Sequence, residues 1–486
     1  MEKIDPNEEI TITVCGPVDA GKSTTIGVLT SGELDDGKGL SRNKILVHAH
    51  EKESGRTSNI TFNPLIYKLR KGDNKNVLLI DHYIFGDKRK LNGYCTLKKT
   101  YELNQCVALD SKNELIPSNT TLQSESTKND NRIVSFVDLA GHEKYLKTTV
   151  YGVSGIFPNY GMIMIASNTG ITKLTREHIG ILFYLNIPFL ICITKIDSTP
   201  KHIYDELCKR LKRLLSNKIY QKIPYFIRNS TDNSTEKYIN NMVNNNDIIP
   251  VISISNKTGE NIDNLHKILS SIPKNKKWKN NDIDTLDNFG SLVYIDSNFL
   301  VPGIGLVVSG SVKGKTIKVK DKMYIGPKNG NFYQVIVRSM HNSISQIIDE
   351  AHNESQSCFG IKFTNQKQVL DRNDIKKGMV LIDNPENWKS NIVRKFKAKI
   401  TVLQHSTTIK NGYSPVIHCG PIRQSATLMM DDSFESSDSS FLRSGDTKNV
   451  VFTFSHRPEF IENNSTFFFM DGNTKGVGKI YELILL

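Results

Sequence analysis

Gly16-Pro17-Val18-Asp19-Ala20-Gly21-Lys22-Ser23 reads G-x-x-x-x-G-K-[ST]. The apolar run Ile10–Cys15 just before it predicts a buried strand, and the residues after it predict a helix. In that setting the pattern forms a phosphate-binding loop. Gly16 and Gly21 let the backbone turn back so that its N–H groups face phosphate oxygens, and the helix N-terminus adds its dipole. Lys22 then reaches the β- and γ-phosphates, and the Ser23 hydroxyl is placed to ligate Mg²⁺. At ordinary Gly and Lys frequencies, a chance match in a chain this long is on the order of a per cent.

Outward from this loop, strand-like runs alternate with helical ones. Val77–Asp81, Ile133–Asp138, Met162–Ala166, Phe189–Thr194 and Val251–Ile254 read as short buried strands. Helical spacing marks Thr172–Leu185, Tyr204–Leu215 (Leu207, Leu211, Leu214) and a run after Gly259 (Ile262, Leu265, Leu269). Alternation of this kind predicts an α/β domain over residues 1–274, with a mostly parallel sheet covered by helices on both faces. Residues 68–131 hold one convincing strand and a polar tract, SNTTLQSESTKNDN, and read as a loop insertion, partly disordered. Asn229–Asp247 is an Asn-rich stretch. After the charged joint Lys274–Asp287 the pattern changes to short strands with Gly-centred turns at Gly303, Gly305, Gly310, Gly314, Gly326 and Gly330. A second polar joint at Asp383–Ser390 precedes another set, with turns at Gly412, Gly420, Gly445 and Asp471-Gly472. Two all-β barrels are expected, over residues 285–386 and 391–486.

Four further motifs fit the phosphate loop. Asp138-Leu139-Ala140-Gly141 closes a predicted strand. Asp138 is placed to hold Mg²⁺ through water, and the Gly141 N–H to sense the γ-phosphate. Thr194-Lys195-Ile196-Asp197 ends another strand. Its Asp197 is suited to accept both edge N–H groups of guanine, with the Lys195 stem over the base plane. Ser255-Asn256-Lys257 follows the last strand and is placed to offer backbone N–H groups to guanine O6. In Glu51–Thr57 (EKESGRT), Thr57 is the candidate mobile Mg²⁺ ligand, with Ser58 the alternative. His142, next to the γ-phosphate sensor, stands where a water-orienting side chain is expected.

Composition sets the class. The 486 residues are 38% hydrophobic and 23% charged, with a formal net charge of +13. That suits a globular chain of roughly three domains with an anionic partner. MEKIDPNEEI has no apolar core, so no secretory signal is expected. The most apolar stretch, Ile179–Ile193, is broken by Asn186 and Pro188, and a bilayer span needs about 20 clean residues. Seven scattered cysteines without a C-x-x-C favour reduced thiols in the cytoplasm over a disulfide or zinc framework.

GPVDAGKST, ESGRT, DLAGHEKYLKTT, TKID and ISNKTGENID occur in this order. The chain thereby resembles the translational GTPases related to EF-Tu and elongation factor 1-alpha. LTSGELDDGKG, HAHEKESGRTSN, VPGIGLVVSG and GYSPVIHCGPIRQSA bring it closer to the GTP-binding protein 1 and 2 branch. The resemblance implies a GTPase domain, two β-barrels, GTP and GDP as ligands, Mg²⁺, and hydrolysis of GTP to GDP and phosphate. It assigns Gly16, Asp19, Ala20, Gly21, Lys22, Ser23 and Thr24 to phosphates and magnesium. Thr57 becomes the mobile metal ligand, Asp138 the metal anchor and His142 the water-orienting residue. Thr194, Lys195, Asp197, Ser255, Asn256 and Lys257 fall to the guanine site. Pro17 stands where EF-Tu-like loops commonly carry histidine. Thr194 stands where the usual guanine motif has asparagine, so a hydroxyl is expected to hold the loop less firmly.

The implied partners are tRNA and the ribosome, with a monomeric chain and no membrane. An adaptor of RNA surveillance or decay, gated onto a protein partner, and a metabolic GTPase subunit are the alternatives. Lys389, Arg394, Lys395, Lys397, Lys399, Lys410 and Arg423 occur without an acid among residues 389–428. This strip is expected to contact phosphate backbones rather than bases.

Overall fold

The computed structural model describes residues 2–3, 8–46, 51, 57, 60–71, 77–85, 94–104, 130–142, 145–227, 247–274, 290–365, 369–431, 441–472 and 474–485. The chain divides into two compact units, Met1–Thr149 with Pro158–Asn275, and Val150–Phe157 with Lys276–Leu486.

The first unit is built on a ten-stranded mixed sheet. In chain order the elements up to residue 274 are β1 (Glu2–Lys3), β2 (Glu8–Cys15), α1 (Lys22–Ser31), α2 (Leu40–Asn43), β3 (Thr61–Lys71), β4 (Val77–Phe85), β5 (Tyr94–Asn104), β6 (Asp130–Asp138), α3 (Leu146–Ser154, counted with the second unit from Val150 on), β7 (Tyr160–Ala166), α4 (Lys173–Tyr184), β8 (Phe189–Thr194), α5 (Lys201–Leu215), β9 (Ile223–Ile227), β10 (Ile248–Ser253) and α6 (Ile262–Ser271). The strand order is β1-β5-β4-β3-β6-β2-β7-β8-β10-β9. The six strands from β6 to β9 are parallel, and β3, β4, β5 and β1 continue the sheet antiparallel. Every residue of β7 and β8 is buried, as parallel strands covered on both faces require. α4 starts where Thr172 caps it, its hydroxyl accepting from the Thr175 N–H while the Thr175 hydroxyl accepts from the Thr172 N–H. α5 buries Leu207, Leu211 and Leu215, while Leu214 is half-buried.

The reading of residues 68–131 as a loop is corrected over its described part, since β3 runs to Lys71 and β4 and β5 form a ribbon. β5 was hidden because the pairing slips between His82 and Tyr83, which face Lys99 and Leu97 and leave Lys98 bulged. A bulge breaks the alternation by which a strand is read. Pro64 sits within β3 and masked that strand in the same way. The polar tract within 105–129, nearly all of the joint 274–287 and nearly all of the Asn-rich stretch 229–247 lie outside the described residues.

The ribbon packs on α6 through an aromatic core. Tyr67, His82 and His266 are buried, and Tyr101 nearly so. The Tyr67 hydroxyl and His266 Nδ1 are 2.8 Å apart, and the His266 ring lies 4.6 Å from His82 and 5.0 Å from Tyr101 between centroids. Burial pushes the His82 imidazole down to about 4, helped by the charges of Lys98 and Lys99. Burial likewise holds His266 well below its ordinary value. The folded state thus favours neutral His82, while the unfolded chain takes up a proton near pH 6.5. This stabilisation is complete above pH 6.5 and is lost as pH falls from there towards 4. His82 alone is expected to cost about 2 kcal/mol of stability between pH 7 and pH 5. Urea unfolding at the two pH values measures it. His82→Phe should flatten that limb, and equal slopes in both proteins would refute the assignment.

The two large sheets of the second unit each contain a closed ring of six antiparallel strands. In the first, Lys322–Lys328, Val380–Ile382, Ser291–Val301, Gly305–Gly314, Gln356–Phe363 and Asn331–Asn342 form a ring. In the second, Thr447–Phe454, Ile422–Met430, Val416–Cys419, Thr466–Asp471, Thr474–Leu485 and Ile392–Gln404 do the same. Phe396, Phe452 and Phe467 meet inside the second, with centroids 5.5–5.6 Å apart. Gly310 and Gly326 are strand residues and not turns. Gly310 faces a slip in pairing between Ile295 and Ser297, and a side chain there would collide with the Tyr294 carbonyl. The polar joint 383–390 is a short 3-10 helix, Pro385–Asn391, pinned by buried Trp388, whose ring lies 5.6 Å from Phe460.

Candidate functional site

The site lies at the C-terminal ends of β2, β6 and β8 and in the loop after β10. Asp19 and Gly21 take left-handed φ values of 61° and 83°, and this curls the loop into a cradle that opens onto α1. Gly16 lies on β7, where a Cβ would stand 2.6 Å from the Met164 carbonyl oxygen. Lys22 is buried, and its Nζ donates to the Gly16 carbonyl (3.0 Å) and the Pro17 carbonyl (2.9 Å). Burial lowers the Lys22 pKa, and the charge of Asp138 opposes that shift. Ala20 is buried and Thr24 half-buried on the first turn of α1.

Three residues from separate segments converge beside Lys22. Ser23 Oγ donates to Asp138 Oδ2 (2.6 Å), Thr57 Oγ1 donates to the same oxygen (2.9 Å), and the two hydroxyls are 2.8 Å apart. Asp138 is fully buried, and its Oδ1 has no hydrogen-bond partner among the described residues. Burial raises its pKa foremost; Lys22, Ser23 and Thr57 lower it, and the nearby charge of Glu51 raises it. Two hydroxyls and an under-bonded carboxylate are the hard oxygen donors that suit Mg²⁺. Glu51 is itself buried. Glu51 is the first residue of EKESGRT, and nothing in the pattern of that segment singles it out.

Gly141 packs onto the cradle. A Cβ there would collide with Lys22 Nζ and come within 2.8–2.9 Å of Pro17 and Gly16 backbone atoms. His142 is exposed on the turn that follows. Its carbonyl accepts from the Tyr145 N–H (2.8 Å), and its ring stands edge-on to Tyr145.

The base-reading candidates also converge. Lys195 holds a left-handed φ of 60°, and Asp197 is exposed, with Oδ1 accepting from the Ser255 hydroxyl at 2.7 Å. Thr194 Oγ1 donates to the Ala20 carbonyl at 3.0 Å, so the hydroxyl ties the base strand to the cradle. The N–H groups after β10 are partly used within the protein, Ser255 N–H by the Glu260 carbonyl (3.1 Å) and Lys257 N–H by Ser255 Oγ (3.3 Å). The Asn256 side chain turns to Thr25 on α1, with Nδ2 2.9 Å from the hydroxyl. Thr25 is a buried helix position that no sequence motif marks.

The basic strip is less isolated than its sequence. Lys395 and Lys399 point outward from the second barrel. Lys397 pairs with Glu482 (3.0 Å), Lys389 with Glu386 (2.7 Å), and Arg394 donates to the Phe454 and Ser455 carbonyls. Among the described residues, no helix is long and apolar enough to cross a membrane.

Residues 7–274 match the family described as "Elongation factor Tu GTP binding domain". The chain is 34% identical to GTP-binding protein 1 of Xenopus laevis over 98% of its own length and 64% of that protein's. It is 28% identical to GTP-binding protein 2 of Homo sapiens, over 99% of this chain and 71% of that one. The chain thus spans about two thirds of the length of these relatives. In fold it is similar to translation elongation factor SelB from Methanococcus maripaludis, solved in complex with the GTP analogue GppNHp, at a TM-score of 0.59, 17% identity and coverage of 99% and 81% of the two chains.

Proposed function

Because the chain belongs to the elongation factor Tu GTP-binding family, we propose that it is a cytoplasmic, Mg²⁺-dependent GTPase, a switch that hydrolyses GTP to GDP and phosphate and acts with tRNA and the ribosome. The observation that carries this reading is the meeting of Ser23, Thr57 and Asp138 beside Lys22, which gathers phosphate and metal ligands from three separate segments. Lys22 and the backbone N–H groups of the loop, to which Pro17 contributes none, hold the β- and γ-phosphates. The Gly141 N–H approaches the γ-phosphate from the opposite wall, and His142 orients the attacking water. Asp197, held by Ser255, accepts from the guanine edge. Ser23 and Thr57 would hold Mg²⁺ directly and Asp138 through water; bound there, the ion neutralises charge on the phosphates.

GTP turnover with and without ribosomes and aminoacyl-tRNA tests the reading. Ribosome-stimulated hydrolysis is expected, and turnover indifferent to ribosomes would favour a metabolic subunit or a decay adaptor.

Lys395 and Lys399 are the side chains suited to tRNA phosphates. Each neutralised phosphate adds roughly one unit to the slope of log affinity against log salt. Lys395→Ala with Lys399→Ala should therefore lower that slope by about two. Lys397→Ala should lower it by less than one, because Lys397 is already paired with Glu482. A salt series with tRNA and a non-hydrolysable GTP analogue reads this out. An unchanged slope in the double variant would place any RNA contact elsewhere.

A further inference from the structure

Asn256 joins parts of the site that the nucleotide itself must span. Its Nδ2 donates to Thr25 Oγ1 at 2.9 Å. Thr25 is fully buried on the first turn of α1, where its N–H donates to the Gly21 carbonyl at 2.8 Å. From another segment, the Asp35 N–H donates to the Asn256 carbonyl at 2.9 Å. Leu34 lies against Gly259 in the same loop, 3.2 Å from where a Cβ would stand. Asn256 Oδ1 is buried without a hydrogen-bond partner among the described residues. One residue back, Ser255 is fully buried and donates to Asp197 Oδ1 at 2.7 Å. A continuous path therefore runs from the cradle at Gly21 through Thr25, Asn256 and Ser255 to the Asp197 carboxylate.

We propose that Asn256 is a positioning residue: through Thr25 it fixes the distance between the Asp197 carboxylate and the phosphate cradle. The inference rests on the guanine-nucleotide reading given above. The base edge and the β-phosphate of a nucleotide are joined by a short covalent framework, so the protein must present both contacts at one separation. A loop already held at that separation binds without a further ordering cost. A loop free to drift meets the phosphates or the base edge well, but not both. Thr194 supplies the other tie, to Ala20, yet it acts on the strand that carries Asp197. Asn256 acts on Ser255, which aims the carboxylate. The side chain of Asn256 thus serves the base contact from behind and does not touch the base.

The test uses the full chain with Asn256→Ala and, because that variant removes a partly buried amide, the near-isosteric Thr25→Val. Release of fluorescent GDP gives the dissociation rate, and calorimetry gives the affinities for GDP and inosine diphosphate. Inosine diphosphate keeps the ribose, the phosphates and the ring carbonyl but lacks the amine donated to Asp197. Each variant is expected to release GDP about five- to tenfold faster, as loss of one hydrogen bond predicts. Each should also narrow the preference for GDP over inosine diphosphate. The double variant should be no worse than either single one, because both remove the same bond. A preference unchanged in both single variants, or effects that multiply in the double variant, would overturn the proposal. Wild-type protein that fails to bind GDP would sink the nucleotide reading itself. Wild type and variants that bind GDP alike would sink the role of Asn256 alone.

Discussion

Lys22→Ala is expected to lower affinity for GTP by about a hundredfold to a thousandfold, and affinity for GDP, which has no γ-phosphate, by less. The amine is buried and held over the mouth of the cradle by the Gly16 and Pro17 carbonyls, so it meets phosphate with little left to order. Burial lowers its pKa because the charge is costly there, while Asp138 works to retain that charge. A phosphate oxygen completes the compensation, and a charge-assisted hydrogen bond contributes roughly 1.5–3 kcal/mol. With contacts to both the β- and γ-phosphates of GTP, the loss is about 3–4 kcal/mol. Lys22→Arg should not restore binding, because the amine already fills the space between the cradle and Gly141 and a guanidinium is larger. Titration with a fluorescent nucleotide measures both variants. GTP affinity retained within tenfold in Lys22→Ala would mean that phosphates are held some other way.

How much of this was legible in the sequence depended on whether a feature is local. The cradle, Asp138, Thr194–Asp197 and Ser255 sit at strand ends whose apolar runs announce them, and a parallel sheet brings the C-terminal ends of its strands together. Each motif therefore predicted its neighbours. Thr57 was harder, because its segment has no periodic pattern, and it is its hydrogen bonds to Ser23 and Asp138 that place it. The ribbon of β4 and β5 was hidden by its own bulge at Lys98, since the alternation that marks a strand reverses there. The Thr25–Asn256 bond joins positions 231 residues apart, and neither residue type announces it. The basic strip shows the opposite failure. It is free of acids along the chain, yet Glu482 comes alongside Lys397 from a neighbouring strand of the barrel. Sequence reports charge along one strand, while a sheet mixes the charges of adjacent ones.

His142→Ala is expected to leave GTP affinity within a few-fold and to reduce ribosome-stimulated hydrolysis by roughly a hundredfold or more, the usual cost of losing a positioned group that handles the attacking water. The two effects separate because binding and chemistry rest on different atoms. The bonds that build the cradle are made by Lys22, Ser23, Thr57 and Asp138, and the residue proposed to meet the base, Asp197, is supported by Ser255. His142 instead stands exposed on the turn after Gly141. Its carbonyl is fixed by the Tyr145 N–H, so the alanine variant keeps the backbone turn and with it the approach of Gly141. What the variant loses is the imidazole, exposed beside the turn that carries Gly141. His142→Gln keeps one donor and one acceptor on a side chain of similar reach, and should retain part of the stimulated rate if the role is to orient water. Single-turnover release of γ-phosphate, with nucleotide affinity measured in parallel, separates the two quantities. A stimulated rate unchanged in His142→Ala would remove the residue from the chemistry, and loss of affinity equal to the loss of rate would make it a binding residue instead.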